Sequence, residues 1–262
     1  MLYKKNSAKE LDKKLFENPT AEYRAAPFWA WNCKVTPEII TKQIGILKEM
    51  GFGGYHIHSR TGMDVPYLSD EFMSLIRHCV EEAKRTDTLA WLYDEDRWPS
   101  GAAGGLVTKE PEYRQRFMRF TKNEMTSETA PKDEAVKAGK PYLIRAYDIV
   151  LDDDGYLSEY RAIDPSDEAK GDKWFAYCET PAPSGWYNNQ TYIDALSKKA
   201  VDRFIEITHE RYKETVGEEF DKIVPAIFTD EPSPSLKTML PTSKSSKDVS
   251  LPWTPDLDLI CE

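Results

Sequence analysis

The sequence predicts an α/β protein built as a partial (β/α)8 barrel of about four βα units, with a small β-rich insertion. Three observations predict it. Short apolar or aromatic runs alternate with segments of helical period. The helical segments open on Ser or Thr caps, and the first stops at a glycine. The apolar runs close on polar residues suited to chemistry, and in parallel α/β barrels the active site sits at those strand ends.

Residues 1–26 read as a polar lead-in helix and linker. Residues 27–114 hold the first three units. Phe28-Trp29-Ala30-Trp31-Asn32 is a short aromatic strand. Thr36 caps the helix after it, with Pro37 at its first position and Glu38 in its first turn. Ile40, Ile44 and Leu47 form that helix's buried stripe, and Gly51 stops it. Gly54-Tyr55-His56-Ile57-His58 is the second strand. Ser69 caps a helix whose apolar face is Phe72, Leu75, Ile76, Cys79, Val80 and Ala83. Leu89 to Tyr93 is the third strand, and the Gly/Ala-rich stretch Gly101 to Gly105 is expected to open a short helix.

Residues 115–190 break the rhythm. Tyr142–Val150 and Tyr156–Ile163 flank Asp152-Asp153-Asp154-Gly155 as a β-hairpin, and Lys173–Glu179 adds a strand. The pattern resumes in 191–262. Ser197 caps a helix with Val201, Phe204, Ile205, Thr208 and Tyr212 on one face. Ile223–Phe228 is the fourth strand, although Pro225 removes one ladder hydrogen bond. From Pro232 to Glu262 a Pro/Ser/Lys-rich active-site loop with no strand is expected. A closed barrel needs eight units, so the chain is expected to stop halfway. Its open edges and apolar inner face would then invite self-association.

Composition narrows the function. The 262 residues carry a formal net charge of −10, which argues against nucleic-acid binding, since that depends on Lys/Arg neutralising phosphates. No run is long and apolar enough to span a membrane, and no apolar stretch follows the basic N-terminus as a secretory signal would require. A cytoplasmic location is expected. Cys33, Cys79, Cys178 and Cys261 match no zinc spacing and no dense disulfide framework, and read as reduced thiols.

The candidate site residues lie at four strand ends: Trp31 and Asn32; His56, His58 and Arg60; Asp94, Glu95 and Trp98; Asp230 and Glu231. Period-two alternation puts both histidines on one face, toward the barrel axis, with Tyr55 and Ile57 toward the helices. They bind substrate hydroxyls, ligate a metal, or sit neutral in a polar interior. Carboxylates flanked by Tyr93 and Trp98 suit sugar recognition, since an aromatic ring stacks on the C–H face while carboxylates accept hydroxyl hydrogen bonds. Asp94 and Glu95 also suit calcium, which takes oxygen ligands. At the fourth strand end, a glycosidase needs one carboxyl group to protonate the leaving oxygen and a second to activate water or attack. Glu231 is the expected acid beside Asp230, the alternative being a loop carboxylate paired with a local Arg or Lys.

These segments resemble the α-L-rhamnosidase family of glycoside hydrolases with a (β/α)8 catalytic barrel. The resemblance rests on Pro27-Phe28-Trp29-Ala30-Trp31-Asn32 with Val35-Thr36, and on Met50-Gly51-Phe52-Gly53-Gly54. It continues through Tyr93-Asp94-Glu95-Asp96-Arg97-Trp98-Pro99-Ser100-Gly101, Tyr192-Ile193-Asp194-Ala195-Leu196 and Phe228-Thr229-Asp230-Glu231-Pro232. It spans roughly residues 25–255. It implies hydrolysis of terminal α-L-rhamnosides in plant or bacterial polysaccharides, with inversion and with calcium assisting. It favours Glu231 as a catalytic or sugar-binding carboxylate, and Asp94, Glu95 and the two histidines as pocket residues. Family members are much longer, with the rest of the barrel and accessory β-domains downstream. The leading expectation is therefore a glycoside hydrolase fragment with a carbohydrate substrate. The alternatives are a carbohydrate-binding or inactive half-barrel, and a metal-dependent hydrolase centred on His56, His58 and an aspartate.

Overall fold

The computed structural model describes residues 10–234, 237–242, 244–255 and 257. In chain order its first elements are α1 (Lys13–Glu17), β1 (Phe28–Trp31), α2 (Pro37–Glu49), β2 (Gly54–Ser59), α3 (Asp70–Thr86) and β3 (Leu89–Tyr93). Then come β4 (Arg116–Thr121), α4 (Glu134–Lys137), β5 (Tyr142–Leu151), β6 (Leu157–Ile163) and β7 (Asp172–Glu179). The last are α5 (Lys198–Ile207), α6 (His209–Val216), β8 (Ile227–Phe228) and β9 (Val249–Trp253). The chain forms two compact units. One takes the residues up to Gly104 together with Phe204–Pro232, and the other takes Gly105–Arg203 with the residues from Ser233 on. The architecture is mixed α/β, with one parallel and one antiparallel sheet.

The first unit holds a parallel sheet in the order β1-β2-β3-β8, and no closed barrel is present among the described residues. Thr36 and Ser69 cap α2 and α3 by accepting from the N–H groups of Ile39 and Phe72. Ile40 and Ile44 of α2 are buried, as are Phe72, Leu75, Ile76, Cys79, Val80 and Ala83 of α3. Gly54 is required by close approach: a Cβ there would lie 2.2 Å from the Leu89 carbonyl oxygen on β3. Tyr55 points to the helices and donates its hydroxyl to the Cys79 carbonyl at 2.7 Å, which leaves His56 and His58 on the opposite face of β2.

Three expectations for the chain around this unit need correction. The fourth strand is regular only at Ile227–Phe228, because Pro225 has no N–H to return to the ladder. β3 nevertheless donates along the whole segment, from Ala90, Leu92 and Asp94 to the carbonyls of Ile223, Ala226 and Phe228. Residues 101–104 are turns and not a helix start, with Gly101, Ala103 and Gly104 all at positive φ. The helix after Ser197 divides at Thr208 into α5 and α6. Ile205 is exposed and leaves the buried face, while Phe204, Thr208 and Tyr212 are buried.

The second unit is an antiparallel sheet in the order β6-β5-β7-β4-β9. Leu143, Ala146, Phe175 and Tyr177 form a buried cluster with Ile163 packed against it. The β5–β6 turn closes where Asp152 Oδ1 accepts from the N–H groups of Asp154 and Tyr156. Asp148, buried on β5, accepts from the N–H groups of Lys170 and Gly171 and from Arg161. The expected strandless C-terminal loop contains β9, which pairs with β4. An edge strand tolerates Pro252, and that proline hides the strand in the sequence. Among the described residues no helix is long and apolar enough to cross a membrane. Cys33, Cys79 and Cys178 are unbridged, and Cys261 lies outside the described residues.

Candidate functional site

The C-terminal ends of β3 and β8 carry the same dipeptide, Asp-Glu, in different surroundings. Asp94 is fully buried. Its Oδ1 accepts from Ser100 Oγ at 2.6 Å. Its Oδ2 accepts from Thr229 Oγ1 at 2.7 Å and lies 3.0 Å from His209 Nε2 on α6. Glu95, 1% exposed, sits in a nest of backbone donors. Its Oε1 accepts from the N–H groups of Asp96 (2.8 Å) and Gly104 (2.5 Å), and its Oε2 from those of Gly101 (2.9 Å) and Ala103 (2.7 Å). The positive φ angles at 101, 103 and 104 curl the loop so that these N–H groups converge. Burial pushes the Glu95 carboxyl up to about 8, against the pull of its four donors.

The dipeptide on β8 faces outward. Asp230 is half-buried and Glu231 exposed. Glu231 stands at φ +43°, a left-handed conformation that a side chain with a Cβ rarely takes. Its Oε2 accepts from the Trp98 indole Nε1 at 3.0 Å, and Trp98 itself is 43% exposed. Burial raises the pKa of Asp230. Arg60 opposes this, and the charges of Glu231 and Asp94 add to the rise. The surroundings of Asp230 thus favour its protonated form.

The histidines lie beside this strand end. His58 is fully buried and stacks on Tyr93 with ring centroids 3.8 Å apart. Burial first, then the charges of Arg60 and His56, push its pKa down to about 4, so its imidazole is neutral. His56 stacks on Trp91 and is lowered by burial as well. Neither ring nitrogen of His58, nor the Tyr93 hydroxyl, has a hydrogen-bond partner among the described residues.

Trp31 does not belong to the site. It is 2% exposed and packs edge-on against Trp29 and against Phe72 of α3, on the helix side of the sheet. Alternation along β1 points Phe28, not Trp31, toward His56 and His58. Asn32 is exposed just past β1, and Arg60, half-buried, comes directly after β2. Asp94 and Glu95 do not fit a calcium site, since every one of their carboxylate oxygens already faces a donor or His209. No group of three His, Cys, Asp or Glu side chains with metal-binding geometry occurs among the described residues. Sequence reasoning missed Ser100, Thr229, His209 and the backbone nest. Three glycines within Gly101–Gly105, a few residues after a carboxylate run, were the available signal for the nest.

No protein-family model matches the chain, and no curated protein matches it. Among solved structures, a rhamnosidase from Novosphingobium sp. PP1Y is similar at 18% identity and a TM-score of 0.36. The match covers 54% of this chain and only 16% of that one. So slight a likeness carries no argument, and the functional reading rests on the residues above. A separate cavity of about 860 Å3 lies in the antiparallel unit, between Glu124, Arg145, Asp164 and Asp167, and includes none of the candidate residues.

Proposed function

We propose that the parallel unit carries a carbohydrate-active, glycoside hydrolase-like site for terminal α-L-rhamnosides or related sugars of plant or bacterial polysaccharides. The observation that supports it is the Trp98–Glu231 pair: a 43%-exposed indole hydrogen-bonded to an exposed carboxylate at a strand end. The Trp98 ring stacks on the sugar's C–H face, and Glu231 accepts hydroxyl hydrogen bonds. Glu231 or its neighbour Asp230, whose carboxyl pKa burial raises above its ordinary value, supplies the proton that the leaving oxygen needs. Asn32, His56 and Arg60 contribute further hydroxyl contacts, and His58 with Tyr93 forms the neutral floor. The same reading takes β1, β2, β3 and β8 as four consecutive strands of a (β/α)8 barrel whose open edges favour self-association.

Titration with methyl α-L-rhamnoside, followed by tryptophan fluorescence, tests the proposal. Wild type is expected to saturate, and Glu231→Gln to bind about tenfold more weakly or worse, as for loss of a charged hydrogen-bond acceptor. Saturation that is unchanged in Glu231→Gln, or no binding by wild type, would overturn the reading.

A further inference from the structure

Building on that reading of Asp230 and Glu231, we propose that Asp94 is a positioning residue: through Ser100 it sets the Asp230–Glu231 turn, and it contacts neither sugar nor metal. Ser100 grips the Asp230 residue on both sides. Its N–H donates to the Asp230 carbonyl at 2.9 Å, and its Oγ accepts from the Asp230 N–H at 2.9 Å. A hydroxyl has one proton, and Ser100 gives it to Asp94 Oδ1 at 2.6 Å. A carboxylate can only accept, so Asp94 fixes the rotor and leaves the Ser100 lone pairs for Asp230. The other oxygen of Asp94 holds Thr229, the residue before Asp230, with His209 closing the network.

The strained residue next to this clamp depends on it. Glu231 stands at φ +43°, a conformation that is strained for a non-glycine residue and persists only where neighbours impose it. The clamp holds the chain just before Glu231, and Trp98, two residues from Ser100, holds the far end of its side chain. Loop residues 98–100 thus fix both ends of the exposed carboxylate, and Asp94 fixes the loop. With both its oxygens engaged and no exposed surface, Asp94 has nothing to offer a ligand directly.

The role requires hydrogen bonding at Asp94, not its charge. Asp94→Asn keeps an oxygen for Ser100 and turns an NH2 group toward Thr229 and His209, both of which can accept. Asp94→Ala and Ser100→Ala break the relay. The readout is the indole 15N–1H resonance of Trp98 in the full chain, assigned with Trp98→Phe. The indole of Trp29, bonded to Gln43 at 2.5 Å on the helix side, serves as the internal report of folding. Asp94→Asn is expected to keep the Trp98 resonance and to bind methyl α-L-rhamnoside within about threefold of wild type. Asp94→Ala and Ser100→Ala are expected to move that resonance to the value of a solvent-bonded indole and to weaken binding about tenfold. The Trp29 resonance should stay in place throughout. If Asp94→Ala displaces Trp29, Ser100→Ala decides by the same criteria. A Trp98 resonance unmoved in the alanine variants overturns the proposal. So does Asp94→Asn behaving like Asp94→Ala with Trp29 in place. If wild type itself ignores methyl α-L-rhamnoside, the glycan reading fails, and the Trp98 resonances still decide whether Asp94 positions the turn.

Discussion

Asp94-Glu95 and Asp230-Glu231 end neighbouring parallel strands, β3 and β8, and the fold puts one dipeptide to structural use and exposes the other to solvent. The difference lies in the loop downstream of each pair. After Glu95 comes a loop with Gly101, Ala103 and Gly104 at positive φ, and it wraps its N–H groups around the carboxylate. After Glu231 comes Pro232, which has no N–H to give and starts no such nest. A carboxylate's role at a strand end is therefore set by the donors its own loop returns to it. Asp148 on β5 repeats the lesson in the antiparallel unit: two backbone N–H groups and Arg161 engage it, and it is buried and structural.

The largest expected effect comes from emptying the nest. Glu95→Ala leaves the N–H groups of Asp96, Gly101, Ala103 and Gly104 without their acceptor. Each buried orphan donor costs about 1–3 kcal/mol, so the variant should lose at least about 3 kcal/mol in urea unfolding. A loss below about 1 kcal/mol would mean that the loop does not depend on Glu95.

Next in size is an opposed pH dependence. Glu95 titrates at about 8 in the fold and near 4.3 when unfolded. Between those values the folded protein holds a proton that the unfolded chain has released, so this group's contribution to stability falls as pH rises. Asp148 runs the other way. Its pKa is lowered, by the Gly171 and Lys170 N–H groups first, so its contribution is complete above about 3.9 and is lost as pH falls through the folded value. Urea midpoints across pH should show Glu95→Gln flattening the decline between about pH 4.3 and pH 8, and Asp148→Asn flattening the one below about pH 3.9. The same slopes in both variants as in wild type would remove this contrast.

These contrasts mark where the sequence was legible. Periodicity exposed β1 to β3, α2, α3 and the β5–β6 hairpin, because each buries one face and its side chains repeat at the period of the element. β9 stayed hidden because Pro252 reads as a breaker until the strand is known to lie on an edge. Tyr55–Ile57 alternation put the histidines on the inner face, yet the same alternation applied to Phe28-Trp29-Ala30-Trp31 would have sent Trp31 to the helices. Carboxylate density drew attention to both Asp-Glu pairs without separating them. Separation depends on partners remote in sequence, such as His209, which is 115 residues from Asp94.

Smaller effects refine the site's border. His58 buries two ring nitrogens without partners among the described residues, so His58→Phe should raise stability by about 1 kcal/mol while weakening sugar binding, the exchange expected of a functional polar group. Loss of stability in a thermal melt would show that the imidazole is structural. Trp31→Phe should change affinity for methyl α-L-rhamnoside by less than about twofold, since Trp31 faces α3. A larger loss would return Trp31 to the pocket.

In the proposed function the β8 pair meets the sugar and the β3 pair holds the scaffold. Calorimetric titration of methyl α-L-rhamnoside into wild type, Glu231→Gln and Glu95→Gln, each with its melting curve at about pH 6, where a Glu95 that titrates near 8 is protonated, tests it most directly. Glu231→Gln should melt like wild type and bind about tenfold more weakly or worse, whereas Glu95→Gln should bind within about threefold of wild type. A folded Glu95→Gln that no longer binds, beside a Glu231→Gln that binds normally, would contradict the account.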